Sequence, residues 1–528
     1  MKYFVHVVGS MAPGGIENFI MNFIIKDSKI YIMLFNMYCW LNNIYKDSFL
    51  CRLFKVIKLY FYNCYIFKMM KFYENNLPIF NYSKIVNMFR KLFDNIMEFC
   101  RKLINSNMLF NNAKVFNSDC EFLVLLVAAY SIIDWFFRNY IVSFSSVWDE
   151  VFLCILYFVW IYKWVISKKK CSLKISPFDM GIILFIMVMF GLMLVSSNFN
   201  VAFQGFRAIV QGMFWYFVSF QLLNKNSVNK IVTIFVVIAG ILSVYGIYQY
   251  IIGIPMISTW VEPSEVGIRT RVYSIFSSPN IFGCLLVMAI PMSLSLFIIN
   301  NNICKKICYL FIFLFMCICV LFTYSRGAWI GLLAAMGIYI LFKDRKLIIL
   351  FLFILLMVFI FMPSIRNRFL YMFSESYISS SLVAGRMIRW IYSIEIWKNN
   401  FWIGLGLGNF GGAVATNNNL FTIINGNVVN NFYTDNYYLK ILVESGIVGL
   451  LSFLLLMWQV VSISLKMMHI INAKGNKELV MGIVSGLIGV LIHCCVENVF
   501  DVPMMGVLFW LFVAVIAQLW YIDRKDIV

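Results

Sequence analysis

The stretch Lys343-Asp-Arg-Lys346, Leu347-Ile-Ile-Leu-Phe-Leu-Phe-Ile-Leu-Leu-Met-Val-Phe-Ile-Phe-Met362, Pro363-Ser-Ile-Arg366-Asn-Arg368 decides the fold class. An unbroken apolar run stands between a loop that carries lysine and a loop that carries arginine. About 20 residues of such character cross the hydrocarbon core of a bilayer as a helix. Working outward, the same alternation continues in both directions. Lysines gather on alternate loops: Lys168, Lys169 and Lys170, Lys225 and Lys230, Lys305 and Lys306, Lys343 and Lys346, Lys466 and Lys474, and Lys525. The loops between hold Arg138, Arg207, Arg269, Arg271, Arg326, Arg366, Arg368, Arg386 and Arg389, with Lys398 and Lys440 as exceptions there and Arg345 and Arg524 as exceptions on the lysine side. The positive-inside rule makes the lysine loops cytoplasmic.

Spans are expected near 122–144, 151–167, 178–196, 208–223, 231–252, 281–299, 307–323, 327–342, 347–362, 438–465, 479–496 and 504–522. The fold expected is therefore all-α, a multi-pass protein of the cell membrane with about 12 transmembrane helices and both termini cytoplasmic. Asp134 and Arg138 interrupt the first span. Composition agrees, because a chain that is 62% hydrophobic with mean hydropathy +0.85 carries more apolar surface than a soluble core of its 528 residues hides. The net charge of +19 would suggest nucleic acid in a soluble protein. Here topology and anionic membrane lipids account for it, and no nucleic-acid partner is expected. The 14 cysteines are scattered without a C-x-x-C pair, and His6, His469 and His493 are the only histidines. Neither a disulfide framework nor a metal centre is expected.

Residues 1–121 are expected to stay outside the bilayer, on the cytoplasmic side or along its surface. No cleavable signal peptide is read there, for want of a small-residue cleavage site after an apolar core. His6-Val-Val-Gly-Ser-Met-Ala-Pro-Gly-Gly-Ile-Glu-Asn-Phe-Ile-Met-Asn22 reads as strand, glycine turn at Gly14-Gly15 and helix, an arrangement that brings backbone near a phosphate. It resembles the opening of family 4 glycosyltransferases with two Rossmann-like domains. The resemblance spans about 20 residues, and about 120 residues do not hold two such domains, so a remnant without that activity is expected. The domain organisation read is thus 1–121 followed by a polytopic region, 122–528.

The longest polar stretch after the first span, 363–437, falls outside the cell by charge counting, between the ninth and tenth spans. Met387, Ile388, Ile391, Ile394 and Trp397 recur at helical spacing, predicting an amphipathic helix on the membrane surface. Gly404-Leu-Gly-Leu-Gly-Asn-Phe-Gly411 contains G-x-G-x-x-G, but it follows a helix instead of a strand. A tight turn is expected there, not a dinucleotide site. Asp435 precedes the tenth span among Asn430, Asn431, Thr434, Asn436 and Tyr437. It reads either as a general base facing arginines or as a helix cap. Arg326, between two apolar stretches, reads as a site residue or as an arginine snorkelling to the interface. His493, in the eleventh span with Glu497 and Asp501 beyond it, reads as a helix-helix hydrogen-bonding group or a site member.

Ser325-Arg-Gly-Ala-Trp329, Arg386 or Arg389 followed by Trp397, Gly404-Leu-Gly-Leu-Gly-Asn-Phe410, Asn436-Tyr-Tyr-Leu439 and Val443-Glu-Ser-Gly-Ile-Val-Gly-Leu450 together resemble the signature of the O-antigen ligase and polysaccharide polymerase superfamily. Arg271-Val-Tyr-Ser-Ile-Phe-Ser-Ser-Pro-Asn280 resembles that family as well, and the likeness covers roughly 120–525. It implies a metal-independent, cofactor-free glycosyltransferase of the polytopic (GT-C-like) class. The donor implied is an undecaprenyl-diphosphate-linked oligosaccharide, and the acceptor a glycan, a lipid or a wall polymer. The site residues expected, from the resemblance and from the reading of the residues together, are Arg326, Asp435 and Arg271 for catalysis, with Arg269, Arg389 and Arg207 for the diphosphate and Arg386, Asn436 and His493 as further members. Ligases of the family typically carry His before the Asn that is Asn436 here, and this chain has Asp435. That departure favours a repeat-unit polymerase over a ligase. The competing class is a flippase for lipid-linked oligosaccharide. A flippase should show charge at mid-membrane and repeats between halves, and the sequence shows neither.

Overall fold

A computed structural model describes residues 120–525, apart from the short segments 167–172, 256–259, 261–269, 345, 384, 425–426, 431 and 472. The described residues fall in one unit by their contacts. The expectations for residues 1–119, the glycine turn at Gly14-Gly15 among them, lie outside the described residues.

The described residues are helical almost throughout. In order they form α1 Cys120–Val127, α2 Tyr130–Tyr140, α3 Trp148–Ile166, α4 Asp179–Val195, α5 Phe199–Leu222, α6 Lys225–Ile252, α7 Pro279–Ile299, α8 Ile303–Phe322, α9 Arg326–Lys343 and α10 Leu347–Phe361. There follow α11 Pro363–Tyr371, α12 Glu375–Val383, α13 Arg386–Asn399, α14 Gly412–Asn417, α15 Tyr437–Ile470, α16 Lys474–His493 and α17 Pro503–Lys525. Between α14 and α15 lies an antiparallel hairpin, β1 Phe421–Ile424 with β2 Asn427–Asn430, Phe421 facing Asn430.

Among the described residues, α6, α7, α8, α9, α15, α16 and α17 are long and apolar enough to cross a membrane. The pair α10 and α11, bent by 95°, makes an eighth span if taken as one. Pro363 opens α11 at that bend, where its missing N–H costs least. The expected count of about twelve is thus not carried by helix length and apolarity. The expected first span is broken into α1 and α2, α4 has 17 residues, and α5 brings Gln204, Arg207 and Gln211 into its apolar sequence.

Helices α7, α16 and α17 form the centre. Nearly every side chain of α7 is buried, as a helix apolar all round requires. It packs on α16, α8 and α9, while α5 lies along α17 and α4 along α15. The α9–α16 crossing is close because two glycines meet: a Cβ on Gly331 would stand 2.8 Å from the carbonyl oxygen of Gly489. By contrast α10 buries none of its residues, and Phe353, Leu356 and Phe361 are exposed.

The tenth expected span is not a continuous helix. Gly446, at φ +64°, breaks α15 into 437–445 and 447–470. The segment 401–406 docks into the break: Leu405 and Gly406 N–H donate to the carbonyls of Val443 and Glu444 at 2.8 and 3.0 Å, and Ile447 N–H donates to Phe401 O at 3.0 Å. Groups orphaned by the break are satisfied, which the apolar surroundings demand. The glycine turn read from the sequence is present, with Gly404, Gly406, Gly408 and Gly411 all at positive φ. Its task is to fit this break.

The helix expected around Met387 is α13, with Trp397 on its packed face. Met387, Ile391 and Ile394 are exposed. The packed face presents Tyr392, Ile396 and Trp397 to Phe410, Phe432 and Val443.

Candidate functional site

At the arginine-bearing end of the bundle lies a cavity of about 280 Å³, lined by Arg271, Arg326, Arg368, Arg386 and Arg389 with Asp435, His493, Asn280 and Tyr377. The elements that build it are distant in sequence, and each fixes its side chain locally.

Arg271 sits in the segment before α7, where Val272 N–H donates to Phe322 O at 3.0 Å. Its guanidinium is buried and held in three directions. Nε donates to Thr323 O at 3.0 Å, Nη1 to Trp260 O at 2.7 Å and Nη2 to Asn280 Oδ1 at 3.0 Å. Arg326 opens α9, whose N-cap Ser325 accepts from Ala328 N–H. Its guanidinium carbon stands 4.7 Å from the ring centre of Tyr377 on α12, within cation–π range. Arg326 thus lines the cavity. Arg368, on the bent α11, is also buried, and its Nε donates to Tyr324 O at 2.8 Å.

From α13, Arg389 Nη1 pairs with Asp435 Oδ2 at 2.8 Å, and Arg386 reaches the same oxygen at 3.5 Å. Trp390, the residue after Arg389, donates to Thr434 O at 2.9 Å and ties α13 to the 434–435 segment. Asp435 takes φ +51°, a region Asp tolerates better than most residues. The cap of α15 is Asn436, whose side chain accepts from Leu439 N–H at 3.1 Å. The cap reading of Asp435 is thereby corrected, since its carboxylate is engaged by two guanidinium groups. Asn436 is a cap and does not line the cavity.

Arg386 also lies 3.7 Å from Glu497, which accepts from Asn280 Nδ2 at 2.5 Å. Burial pushes the Glu497 carboxyl up to about 7 against the opposing pull of Arg386, the Asn280 hydrogen bond and Arg271. A continuous chain of contacts thus runs Arg271–Asn280–Glu497–Arg386–Asp435–Arg389. Nearby, burial and the charges of Asp501, Glu497 and Asp435 raise the Tyr433 hydroxyl.

Of the residues expected from sequence, the structure brings together Arg271, Arg326, Arg386, Arg389, Asp435 and His493. Arg269 lies outside the described residues. Arg207 belongs elsewhere: it pairs with Glu150 at 2.9 Å and borders a second cavity of about 190 Å³, with Lys440 and Asp501 on its wall. Sequence reasoning missed Arg368, Tyr377, Asn280 and Glu497 as parts of the site. Asn280 closed a quoted motif and Arg368 followed Pro363, so a signal existed for both. Tyr377 had none.

This geometry places a dense positive field around a small polar chamber, the form a site takes when it must hold an anion with several oxygens. Compared with known families, residues 311–454 match the family model described as O-Antigen ligase. A search of curated proteins finds no match. The matched segment runs from α8 into α15 and supplies Arg326, Arg368, Arg386, Arg389, Asp435 and the Gly404–Gly411 loop. Arg271, Asn280, His493 and Glu497 come from outside it. Residues 311–454 are thus similar to that family, within a chain whose described helices include several long and apolar enough to cross a membrane.

Proposed function

We propose that the protein is a membrane glycosyltransferase that transfers or polymerises polyprenyl-diphosphate-linked oligosaccharide repeats on the outer face of the cell membrane. The observation that carries this reading is the cavity wall, where five arginines face one lining carboxylate. A diphosphate leaving group develops charge as the bond to the anomeric carbon breaks, and fixed guanidinium groups stabilise that charge without reorganising. Arg271 and Arg326 are assigned to the leaving diphosphate, with Arg389, Arg386 and Arg368 in support. Arg207, bordering the other cavity, is left out of the diphosphate site. Asp435 is assigned to holding Arg386 and Arg389 in register. In this reading the arginines supply the neutralisation that a divalent cation gives in other phosphate chemistry, so no metal or cofactor is invoked.

Repeat-unit polymerase is favoured over ligase because Asp435 stands where the ligases carry His. The flippase alternative lacks support, since five of the described arginines line one chamber, and alternating access calls for a site between two halves.

The test is the size distribution of surface and lipid-linked glycans in cells lacking the gene, complemented with the wild-type protein or with Arg326→Ala. A polymerase leaves single lipid-linked repeats without long chains. A ligase leaves long chains still on the carrier. Wild-type glycan from Arg326→Ala at normal membrane level would sink the site assignment.

A further inference from the structure

We propose that His493 is the base that takes the proton from the acceptor hydroxyl. This rests on the donor reading above and adds the identity of the group that activates the acceptor.

Three side chains at the cavity can accept a proton, and their surroundings separate them. Asp435 is engaged by Arg389 at 2.8 Å and by Arg386 at 3.5 Å. Glu497 is engaged by Asn280 at 2.5 Å and by Arg386 at 3.7 Å, and it stands behind the lining. His493 lines the chamber itself and is only 1% exposed, yet neither ring nitrogen has a hydrogen-bond partner among the described residues. A buried polar group without a partner is costly, and the exceptions in a folded protein call for an explanation. An imidazole that must accept a substrate proton supplies one, because its lone pair has to stay unused until the substrate arrives.

The backbone is arranged to put the ring there. His493 ends α16, and Gly327, the residue after Arg326, faces it. A Cβ on Gly327 would stand 2.7 Å from His493 Cδ2 and 2.8 Å from Nε2. Only glycine leaves that space, so the imidazole approaches the same helical turn that presents Arg326 to the leaving group. Base and diphosphate clamp thereby share one wall.

In the step, a lone pair of the acceptor oxygen forms the bond to the anomeric carbon while its O–H proton passes to an imidazole nitrogen. The bond between the anomeric carbon and the diphosphate oxygen breaks, and its electron pair leaves with the polyprenyl diphosphate. The imidazolium then returns its proton to solvent or to the departing diphosphate. The negative charge of the bound diphosphate offsets the imidazolium formed beside the arginines.

The experiment uses the purified full-length protein in detergent, with two readouts. Binding is measured with undecaprenyl diphosphate alone, and transfer with the lipid-linked repeat extracted from cells lacking the gene. His493→Gln keeps size and polarity without the basicity, and His493→Ala leaves room for added imidazole. The expected result is a loss of transfer of about 100- to 10,000-fold in both variants, the range of general-base catalysis. Undecaprenyl diphosphate binding should match the wild type, and added imidazole should restore transfer in the alanine variant. A wild-type rate in His493→Gln, or no restoration by imidazole in His493→Ala, overturns the base role. Failure of the wild-type protein to bind undecaprenyl diphosphate overturns the donor reading instead.

Discussion

Arg271→Lys separates charge from geometry at the cavity. Lysine keeps the positive charge, but one ammonium nitrogen cannot reproduce three donors spread over a plane. The arginine reaches Thr323 O, Trp260 O and Asn280 Oδ1 at 3.0, 2.7 and 3.0 Å, and a lysine at that position keeps one of them. Two hydrogen bonds from a charged donor are then lost, at roughly 1.5–3 kcal/mol each. If the lysine keeps the bond to the buried Thr323 O, the two stranded acceptors are Trp260 O and Asn280 Oδ1, whose residues line the chamber, so they regain water and the lower end applies, about 3 kcal/mol. If that energy positions the cation against the leaving diphosphate, kcat/KM falls by about two powers of ten. The assay is transfer of lipid-linked repeats by purified protein, with the melting temperature followed in parallel to confirm folding. A loss smaller than about threefold, less than 1 kcal/mol, would falsify the claim that the orientation of Arg271 matters to transfer.

Gly446→Ala puts a Cβ 2.2 Å from Trp402 O and 2.6 Å from Ile403 N, both backbone atoms, at φ +64°. It should cost roughly 2–5 kcal/mol from left-handed strain and overpacking. Limited proteolysis between α13 and α15 should accelerate, and unchanged cleavage and melting would count against the docked-segment account. Glu497→Gln should alter the pH dependence of stability. The carboxyl is raised in the folded protein from 4.5 to about 7, so the fold holds a proton that the unfolded chain releases. Wild-type stability then falls as pH rises through that window, by up to about 3 kcal/mol, and the glutamine variant should lack the decline. Parallel melting profiles of the two proteins from pH 5 to 8 would refute the buried placement of Glu497.

The resemblance legible in the sequence rested on short motifs, and each motif proves to have a local structural duty. Ser325 caps α9, the residue after Arg326 must be glycine to admit His493, and the Gly404–Gly411 loop fills the break in α15. The motifs were visible because local backbone requirements, a cap or a positive φ, leave a mark on residue type. Where a side chain is recruited by position alone, no such mark exists. Tyr377 lies in a serine-rich stretch, and its place beside Arg326 follows from the packing of α12 on the cavity wall. Glu497 was noticed only as a polar residue beyond a span.

The sequence by itself determined that this is a helical membrane protein, where its strongest spans lie, and that arginines and lysines sort onto different loops. Those properties come from hydropathy and from charge sorting, which act residue by residue along the chain. Tertiary structure alone decided which arginines share a chamber, that Arg207 borders another, that Asn436 and not Asp435 caps α15, and that His493 enters the site with its nitrogens unpartnered. The physical reason is that the cavity is assembled from α7, α9, α11, α12, α13, α16 and the segments before α7 and α15. Their mutual placement is set by packing between residues as far as 217 positions apart, as the Asn280–Glu497 contact shows, and no local pattern encodes such distances.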